Sequence, residues 1–214
     1  MYNSELLVID FEGFRHGNQL FIPKEISVRG SNYHDTILLQ PPVKFSFLTE
    51  DFQKTYSWLT RNVHGINWDS GTHDHSFLFN FFNSIKLRFP NSSIFAKGKE
   101  KCTFLRNFFF NVIDLDTLGC PKASQFSYNF ASNCQNHQSV YRFDHCAQEK
   151  ANLFYDWVVN YYQRPTTNEC AHCSSQGERQ SLSNFIPESE SFSYNNLGST
   201  NQNRTGTETN QGRF

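Results

Sequence analysis

The chain has 214 residues, of which 37% are hydrophobic and 18% are charged, and its formal net charge is -1. This length fits one domain with a tail, and the near-neutral charge excludes a general attraction to nucleic acid, so RNA binding would need a local basic patch. The N-terminus has no secretory signal pattern, and no segment is apolar enough to span a bilayer. We therefore expect an intracellular protein of the cytoplasm or nucleus, without membrane contact. In such a reducing compartment the six cysteines are expected as metal ligands or buried thiols.

The N-terminal segment predicts an antiparallel meander. Residues 6–9 are apolar throughout, which is typical of a strand buried on both faces, and residues 13–18 are expected to form a hairpin turn. Residues 19–28 are the expected return strand, in which Pro23 indicates a bulge or an edge position. A third strand is predicted at residues 36–39.

Helical and strand patterns alternate after the meander. Thr49 is a candidate helix cap, and Pro90 should end the second helix. Helices are expected near residues 49–63, from about 74 to 89, through 105–109 and from about 145 to 164, with strands at 93–96 and 111–115. This alternation favours parallel strand pairing with helices packed on both faces of the sheet.

The C-terminal residues 166–214 have almost no apolar periodicity. They are rich in Ser, Asn, Gln, Thr and Gly, so they predict a disordered polar tail after a domain of residues 1–165. Such a tail could recruit protein partners. Cys170 and Cys173 have CxxC spacing, but without a second pair they indicate accidental or weak metal binding.

Two acids follow the first apolar run. Asp10 and Glu12 are two residues apart, so both carboxylates should project from the same face of the strand. A hydrophobic strand that ends in Asp-x-Glu is typical of the divalent-metal site of ribonuclease-H-like nucleases, because Mg²⁺ and Mn²⁺ prefer carboxylate oxygens. The alternative is that both acids are simply solvated where the strand leaves the core.

The order of these elements resembles the DEDD-type 3′–5′ exonuclease branch of the ribonuclease-H-like fold. The resemblance implies four carboxylates that hold two metal ions and a histidine that helps to activate water. Asp10, Glu12 and His145 match that pattern, but Lys101 and Lys150 stand where two aspartates are expected. We therefore expect an inactive remnant of the catalytic site, in which Lys101 or Lys150 pairs with Asp10 or Glu12.

An active exonuclease remains an alternative. Glu100 and Glu149 are adjacent to the two substituted positions, so a shift of one residue could restore the acids and a requirement for Mg²⁺ or Mn²⁺. Neighbouring residues of a helix point about 100° apart, which weighs against such a rescue.

A second group of residues suits a softer metal. Cys134 and His137 have a spacing of two intervening residues, and Cys146 follows at the start of the last helix. Thiolates with an imidazole are ligands that tetrahedral Zn²⁺ prefers, although three unrelated residues are the alternative, and a fourth ligand must come from elsewhere.

Here the chain resembles the ribonuclease-H-like domain of Maelstrom, a protein of germline small-RNA (piRNA) silencing. Pro23-Lys24-Glu25-Ile26 is similar to the family's Pro-x-Glu-Ile, and Cys134, His137 and Cys146 match its other ligands in order and spacing. The resemblance implies an α/β, ribonuclease-H-like three-layer fold with a mixed sheet, helices on both faces and an insert bound by structural Zn²⁺ through Glu25 and these three residues. The HMG box that is common in the family is not found in this sequence, and Asp10 and Glu12 are retained.

The resemblance implies a catalytically degenerate domain that binds single-stranded RNA or a partner of the small-RNA pathway. A candidate nucleic-acid patch consists of Lys97, Lys99, Lys101 and Lys150. The alternative for these lysines is a solvated helix surface. A protein-interaction scaffold that binds no nucleic acid is the remaining alternative for the chain.

Overall fold

The computed structural model describes residues 5–17, 20–126, 134–137 and 145–163, so the predicted tail with Cys170 and Cys173 lies outside the described residues. In these described parts of the chain, five strands form one sheet in the order β3-β2-β1-β4-β5. The strands are β1 (Leu6–His16), β2 (Leu20–Arg29), β3 (His34–Leu38), β4 (Ser93–Ala96) and β5 (Val112–Asp114). β1, β2 and β3 pair antiparallel, whereas β4 and β5 run parallel to β1, so the predicted mixed α/β sheet is confirmed.

Within the described residues, four α-helices accompany the sheet. They are α1 (Glu50–Leu59), α2 (Phe77–Arg88), α3 (Lys99–Arg106) and α4 (Ala147–Gln163). A π-helical turn, Thr60–His64, continues α1 and ends at Gly65, whose φ of 69° is left-handed. No helix within the described residues is both long and apolar enough to cross a bilayer.

Successive residues of β1 point to opposite faces of the sheet, and helices pack against both faces. Leu7, Ile9 and Phe11 pack with α2 and α3 in one buried cluster. Val8 lies in a second cluster, which includes Phe95 and the α4 residues Leu153, Phe154 and Val158. The central strand is thus covered by α2 and α3 on one face and by α4 on the other. Asp10 and Glu12 share the face of Val8, so they point toward the layer of α4.

The first hairpin is longer than the sequence predicts. Residues 13–16 are expected in a turn, but β1 continues through them to His16. The extended ladder contains a bulge: Glu12 pairs with Glu25 and Gly13 pairs with Pro23, so Lys24 is an extra residue in β2. Of the two alternatives that Pro23 indicates, the bulge is confirmed and the edge position is not, since β2 lies between β3 and β1.

Lys24, the bulged residue, is fully buried. Its ammonium group donates hydrogen bonds to the backbone oxygens of Trp68, at 2.7 Å, and Ser70. Burial lowers the pKa of Lys24 to about 8, although the charge of Asp69 opposes this shift. The bulge therefore ties β2 to the loop that follows α1.

Several helix boundaries also differ from the prediction. α2 begins at Phe77 rather than near residue 74. The residues before it form turns, in which the Phe77 N–H donates a hydrogen bond to the Asp74 carbonyl and the Leu78 N–H donates one to the His75 carbonyl. α3 ends at Arg106, so the helix stops short of residues 108 and 109. α4 begins at Ala147, two residues after the predicted start. Thr49 precedes α1 as predicted, but its side chain makes no capping hydrogen bond.

Gly13→Ala should test the bulge. A Cβ atom at this position would lie 2.1 Å from the Ile22 carbonyl oxygen and 2.9 Å from the Pro23 Cα, both of them backbone atoms that cannot move independently. We expect a loss of about 3 kcal/mol in the free energy of unfolding, measured with urea. Gly17→Ala is the matched control: Gly17 has a φ of 65°, and a Cβ atom added there would meet no atom within 4 Å, so only backbone strain of about 1 kcal/mol is expected. Equal losses in the two variants would contradict this account of the bulge.

Candidate functional site

Two lysines contact the two acids in the middle of the central strand, β1. Lys101 of α3 donates a hydrogen bond to Asp10 Oδ1 at 2.7 Å, and its Nζ is 3.8 Å from Glu12 Oε1. Lys150 of α4 lies 2.9 Å from Asp10 Oδ2 and forms a short hydrogen bond to Glu12 Oε1. We call these four residues the acid–lysine cluster. The predicted pairing is confirmed, and it involves both lysines and both acids.

The acid–lysine cluster balances two positive and two negative charges inside the protein. Asp10 is 1% exposed, so its charge depends on neighbouring cations rather than on water. Burial would raise the pKa of Glu12, but Lys150 and then Lys101 outweigh it and lower that pKa to about 2. Burial lowers the pKa of Lys101, whereas Asp10 and Glu12 overcome burial at Lys150 and raise its pKa above the ordinary value. The carboxylates are thus compensated by ammonium groups without a divalent ion.

The other candidate nuclease residues have different described contacts. Within the described residues, no hydrogen bond or ion pair joins His145 to Asp10 or Glu12. Glu100, one of the two acids that could rescue the metal site, forms an exposed ion pair with Arg15. Glu149 is buried, and its backbone N–H donates to Cys146 Sγ at 3.4 Å. The described ion pairs of the two acids are therefore with Lys101 and Lys150.

The predicted basic patch is largely engaged within the protein. Lys97 forms an ion pair with Asp116 and also donates to the Cys120 carbonyl at 2.6 Å. Lys101 and Lys150 belong to the acid–lysine cluster. Among the four lysines of the patch, Lys99 at the start of α3 is the exposed one.

The four predicted zinc ligands come together in a second cluster. The ligand atoms of Glu25, Cys134, His137 and Cys146 all lie within 4.8 Å of one another, and we call this group the four-ligand cluster. Cys134 Sγ is 3.1 Å from Glu25 Oε1, and His137 Nε2 is 3.2 Å from Glu25 Oε2. Glu25 and Cys146 are fully buried, on β2 and immediately before α4. The cluster could hold a metal ion, and its four protein groups would complete a tetrahedral shell.

Further hydrogen bonds orient these side chains. The Ala147 N–H at the start of α4 donates to Glu25 Oε2 at 2.8 Å, and Asn136 Nδ2 donates to Glu25 Oε1 at 3.0 Å. His137 Nδ1 donates to the backbone oxygen of His64, which leaves Nε2 as the ring atom that faces Glu25. Fixing an imidazole through its second nitrogen is typical of histidines that bind metal.

Glu25 and His137 stabilise each other's charged forms in this cluster. Burial would raise the pKa of Glu25, but its hydrogen bond with His137 and the charge of that ring lower it. Burial would lower the pKa of His137, but hydrogen bonds with Cys146 and Glu25 outweigh burial and raise it to about 10. A carboxylate, an imidazole and two thiols are thus in mutual contact in a buried place.

Sequence reasoning missed His64 and Asn136. His64 is 1% exposed and lies in the π-helical turn, 73 residues before the histidine that it orients. Its Nδ1 accepts a hydrogen bond from the Ile66 N–H at 3.1 Å. No local pattern indicates that contact. Asn136 lies between Cys134 and His137 in the sequence, and this proximity could have indicated that its side chain contacts the cluster.

Comparison with known proteins gives no family assignment. No family model matches the chain, and no protein with a curated function is significantly similar to it.

Cys146→Ser should test the four-ligand cluster. Loss of one thiolate should abolish tight metal binding, and because binding of structural metal contributes about 10 kcal/mol or more, the melting temperature should fall by more than about 10 °C. Cys120→Ser is the matched control, since Cys120 is also buried but lies outside the cluster. Elemental analysis and thermal unfolding would measure both effects. Equal metal content and melting temperature in Cys146→Ser and the wild type would refute a metal centre here.

The acid–lysine cluster predicts a specific pH dependence of stability. Glu12 has a pKa of about 2 in the folded protein against an ordinary 4.5, so its contribution is complete above pH 4.5 and is lost as the pH falls toward 2. That contribution is about 3 kcal/mol. The double variant Glu12→Gln/Lys150→Met keeps the net charge and should lose correspondingly less stability between pH 5 and pH 2 in urea unfolding. Identical pH profiles for the two proteins would contradict the prediction.

Proposed function

We propose that the chain is a catalytically inactive, ribonuclease-H-like domain of the Maelstrom type that binds single-stranded RNA in small-RNA silencing. The observation that carries the inactive assignment is the position of Lys101 and Lys150, whose ammonium groups contact both Asp10 and Glu12. Two metal ions need several carboxylates in the same small volume, and a nearby ammonium group repels the metal cations.

The ribonuclease-H-like assignment is supported by the order of the sheet. An antiparallel meander of β1, β2 and β3 is followed by β4 and β5, which lie parallel to β1 on its other side. The two acids lie on the central strand, on the face that α4 covers. This is the arrangement that the resemblance to DEDD exonucleases leads one to expect.

We assign the four-ligand cluster to one structural Zn²⁺ ion. Two cysteine sulfurs, one imidazole nitrogen and one carboxylate oxygen form a ligand set that Zn²⁺ accepts and that Mg²⁺ does not favour. Because all four positions would be filled by Glu25, Cys134, His137 and Cys146, no position is left for a catalytic water. The metal would stabilise the fold rather than take part in a reaction.

A second candidate function is binding of a protein of the same pathway. It is favoured by the internal pairing of three lysines in the predicted RNA patch, Lys97, Lys101 and Lys150. Lys99 remains exposed, so the patch offers RNA less positive charge than its composition suggests.

RNA binding and the absence of cleavage can be tested together. Labelled single-stranded RNA should bind at low salt and remain intact with Mg²⁺ or Mn²⁺. Lys99→Glu should weaken binding and reduce the salt dependence of log Kd by about one unit of slope, as expected for one phosphate contact. Lys54→Glu makes the same charge change at an exposed position of α1 and should leave binding nearly unchanged.

Three outcomes would revise the proposal. Cleavage that requires Mn²⁺ and disappears in Asp10→Asn would establish an active nuclease. No binding to RNA at low salt would favour the protein-binding function. Equal weakening by Lys99→Glu and Lys54→Glu would show that RNA does not contact the start of α3.

A further inference from the structure

The acid–lysine cluster and the four-ligand cluster share the first turn of α4. Cys146 immediately precedes the helix, and Lys150 lies one turn later, with its backbone N–H bonded to the Cys146 carbonyl at 3.0 Å. Four residues of α-helix span about 6 Å along the axis. A group that fixes Cys146 therefore also fixes the backbone from which Lys150 reaches Asp10 and Glu12.

The two clusters also share the β1–β2 ladder. Glu12 and Glu25 are direct cross-strand partners, so their side chains project from the same face of the sheet. Glu12 contacts Lys150, whereas Glu25 accepts a hydrogen bond from the Ala147 N–H at the start of the same helix. Both carboxylates thus hold the first turn of α4 against the sheet.

His64 provides a third connection. Its backbone oxygen accepts the hydrogen bond from His137 Nδ1, and its ring stands edge-on to Phe14, with centroids 4.8 Å apart. Phe14 lies on β1, two residues beyond Glu12. The ligand His137 is therefore connected to the same strand that carries the two acids.

We propose that metal binding at the four-ligand cluster holds Lys150 on Asp10 and Glu12, so that metal affinity and closure of the acid–lysine cluster are coupled. Bound metal would join β2, the Cys134–His137 segment and the residue before α4. Loss of the metal would remove the tie at Cys146 and leave the buried packing of Ala147 and Ala151, together with the hydrogen bond from the Ala147 N–H to Glu25, at this helix end. The first turn of α4 would then move more freely, and Lys150 would become accessible. The inference rests on metal occupancy of the four-ligand cluster and not on RNA binding.

Lysine acylation tests the coupling in the wild-type chain. Protein purified with its metal, and protein treated with a chelator, would be exposed briefly to an N-hydroxysuccinimide acetate, and modification at each lysine measured by mass spectrometry. We expect modification of Lys150 to rise at least about fivefold after metal removal, within the usual range of coupling between sites. Lys24, which is fully buried in the bulge, should stay protected and so reports global unfolding, while exposed Lys54 calibrates the reagent.

The outcomes distinguish coupling from its alternatives. Unchanged protection of Lys150 after metal removal, verified by elemental analysis, would overturn the coupling. A rise at Lys150 and Lys24 together, at a temperature below the melting temperature of the metal-free protein, would also overturn it, since protection of Lys150 would then be lost by general opening of the domain and not at this helix end. Absence of metal in the purified protein, and failure to take up added Zn²⁺, would instead refute the metal assignment itself.

Thermodynamic reciprocity provides a second, independent measurement. If the metal favours closure of the acid–lysine cluster, closure must favour the metal by the same factor. A variant that removes all four charges of the acid–lysine cluster keeps the net charge of the chain: Asp10→Asn/Glu12→Gln/Lys101→Met/Lys150→Met. It should bind Zn²⁺ at least about fivefold more weakly than the wild type, as measured in competition with a chromogenic chelator.

The control for this measurement is Lys97→Met/Asp116→Asn. This variant also removes an ion pair, and the Lys97 ammonium lies 5.9 Å from the ring of Phe154 on α4, far along the helix from Cys146. It should leave the affinity for Zn²⁺ unchanged. Equal affinities in the wild type and both variants would overturn the coupling, as would an equal loss in both.

Discussion

The contacts of Lys101 and Lys150 with Asp10 and Glu12 are the interaction on which the centre of this structure depends. Transfer of an isolated carboxylate into the interior costs several kcal/mol, and this sheet carries two of them near its middle. Two ammonium groups offset that cost by forming ion pairs with the acids, and one of them comes from α3 and the other from α4. The cluster therefore fixes the positions of both helices relative to β1, in addition to balancing charge.

The bulge at Lys24 determines where the four-ligand cluster lies relative to the acid–lysine cluster. Beyond the bulge, β2 runs in register with β1 so that Glu25 lies opposite Glu12. Glu25 then accepts hydrogen bonds from Ala147 and Asn136 and contacts Cys134 and His137. An acidic side chain at the N-terminus of α4 also interacts favourably with the helix dipole. One carboxylate thus contributes both to helix orientation and to the four-ligand cluster.

Local patterns predicted the parts of this fold that depend on nearby residues. The strand at 93–96 agrees with β4 at both ends, because Pro90 and the apolar run define it locally. The Cys-x2-His spacing indicated three ligands, while Glu25 and the substituted lysines came from the resemblance to known families. The extension of β1 to His16 was not predicted, because residues 13–16 lack apolar alternation and are held in the strand by pairing with residues 20–23. The partners of Lys97 and His137 were equally hidden, since Asp116 and His64 are 19 and 73 residues away.

The placement of three carboxylates on one face of the β1–β2 hairpin has a consequence for the order of folding. Asp10, Glu12 and Glu25 are compensated by Lys101, Lys150, the His137 ring, the Asn136 amide and the Ala147 N–H, all of which come from residue 101 onward. During synthesis from the N-terminus, the hairpin would emerge long before these groups and could not be buried without them. We therefore expect this face of the hairpin to be buried only after α4 has been made, which ties completion of the core to contacts between distant parts of the chain.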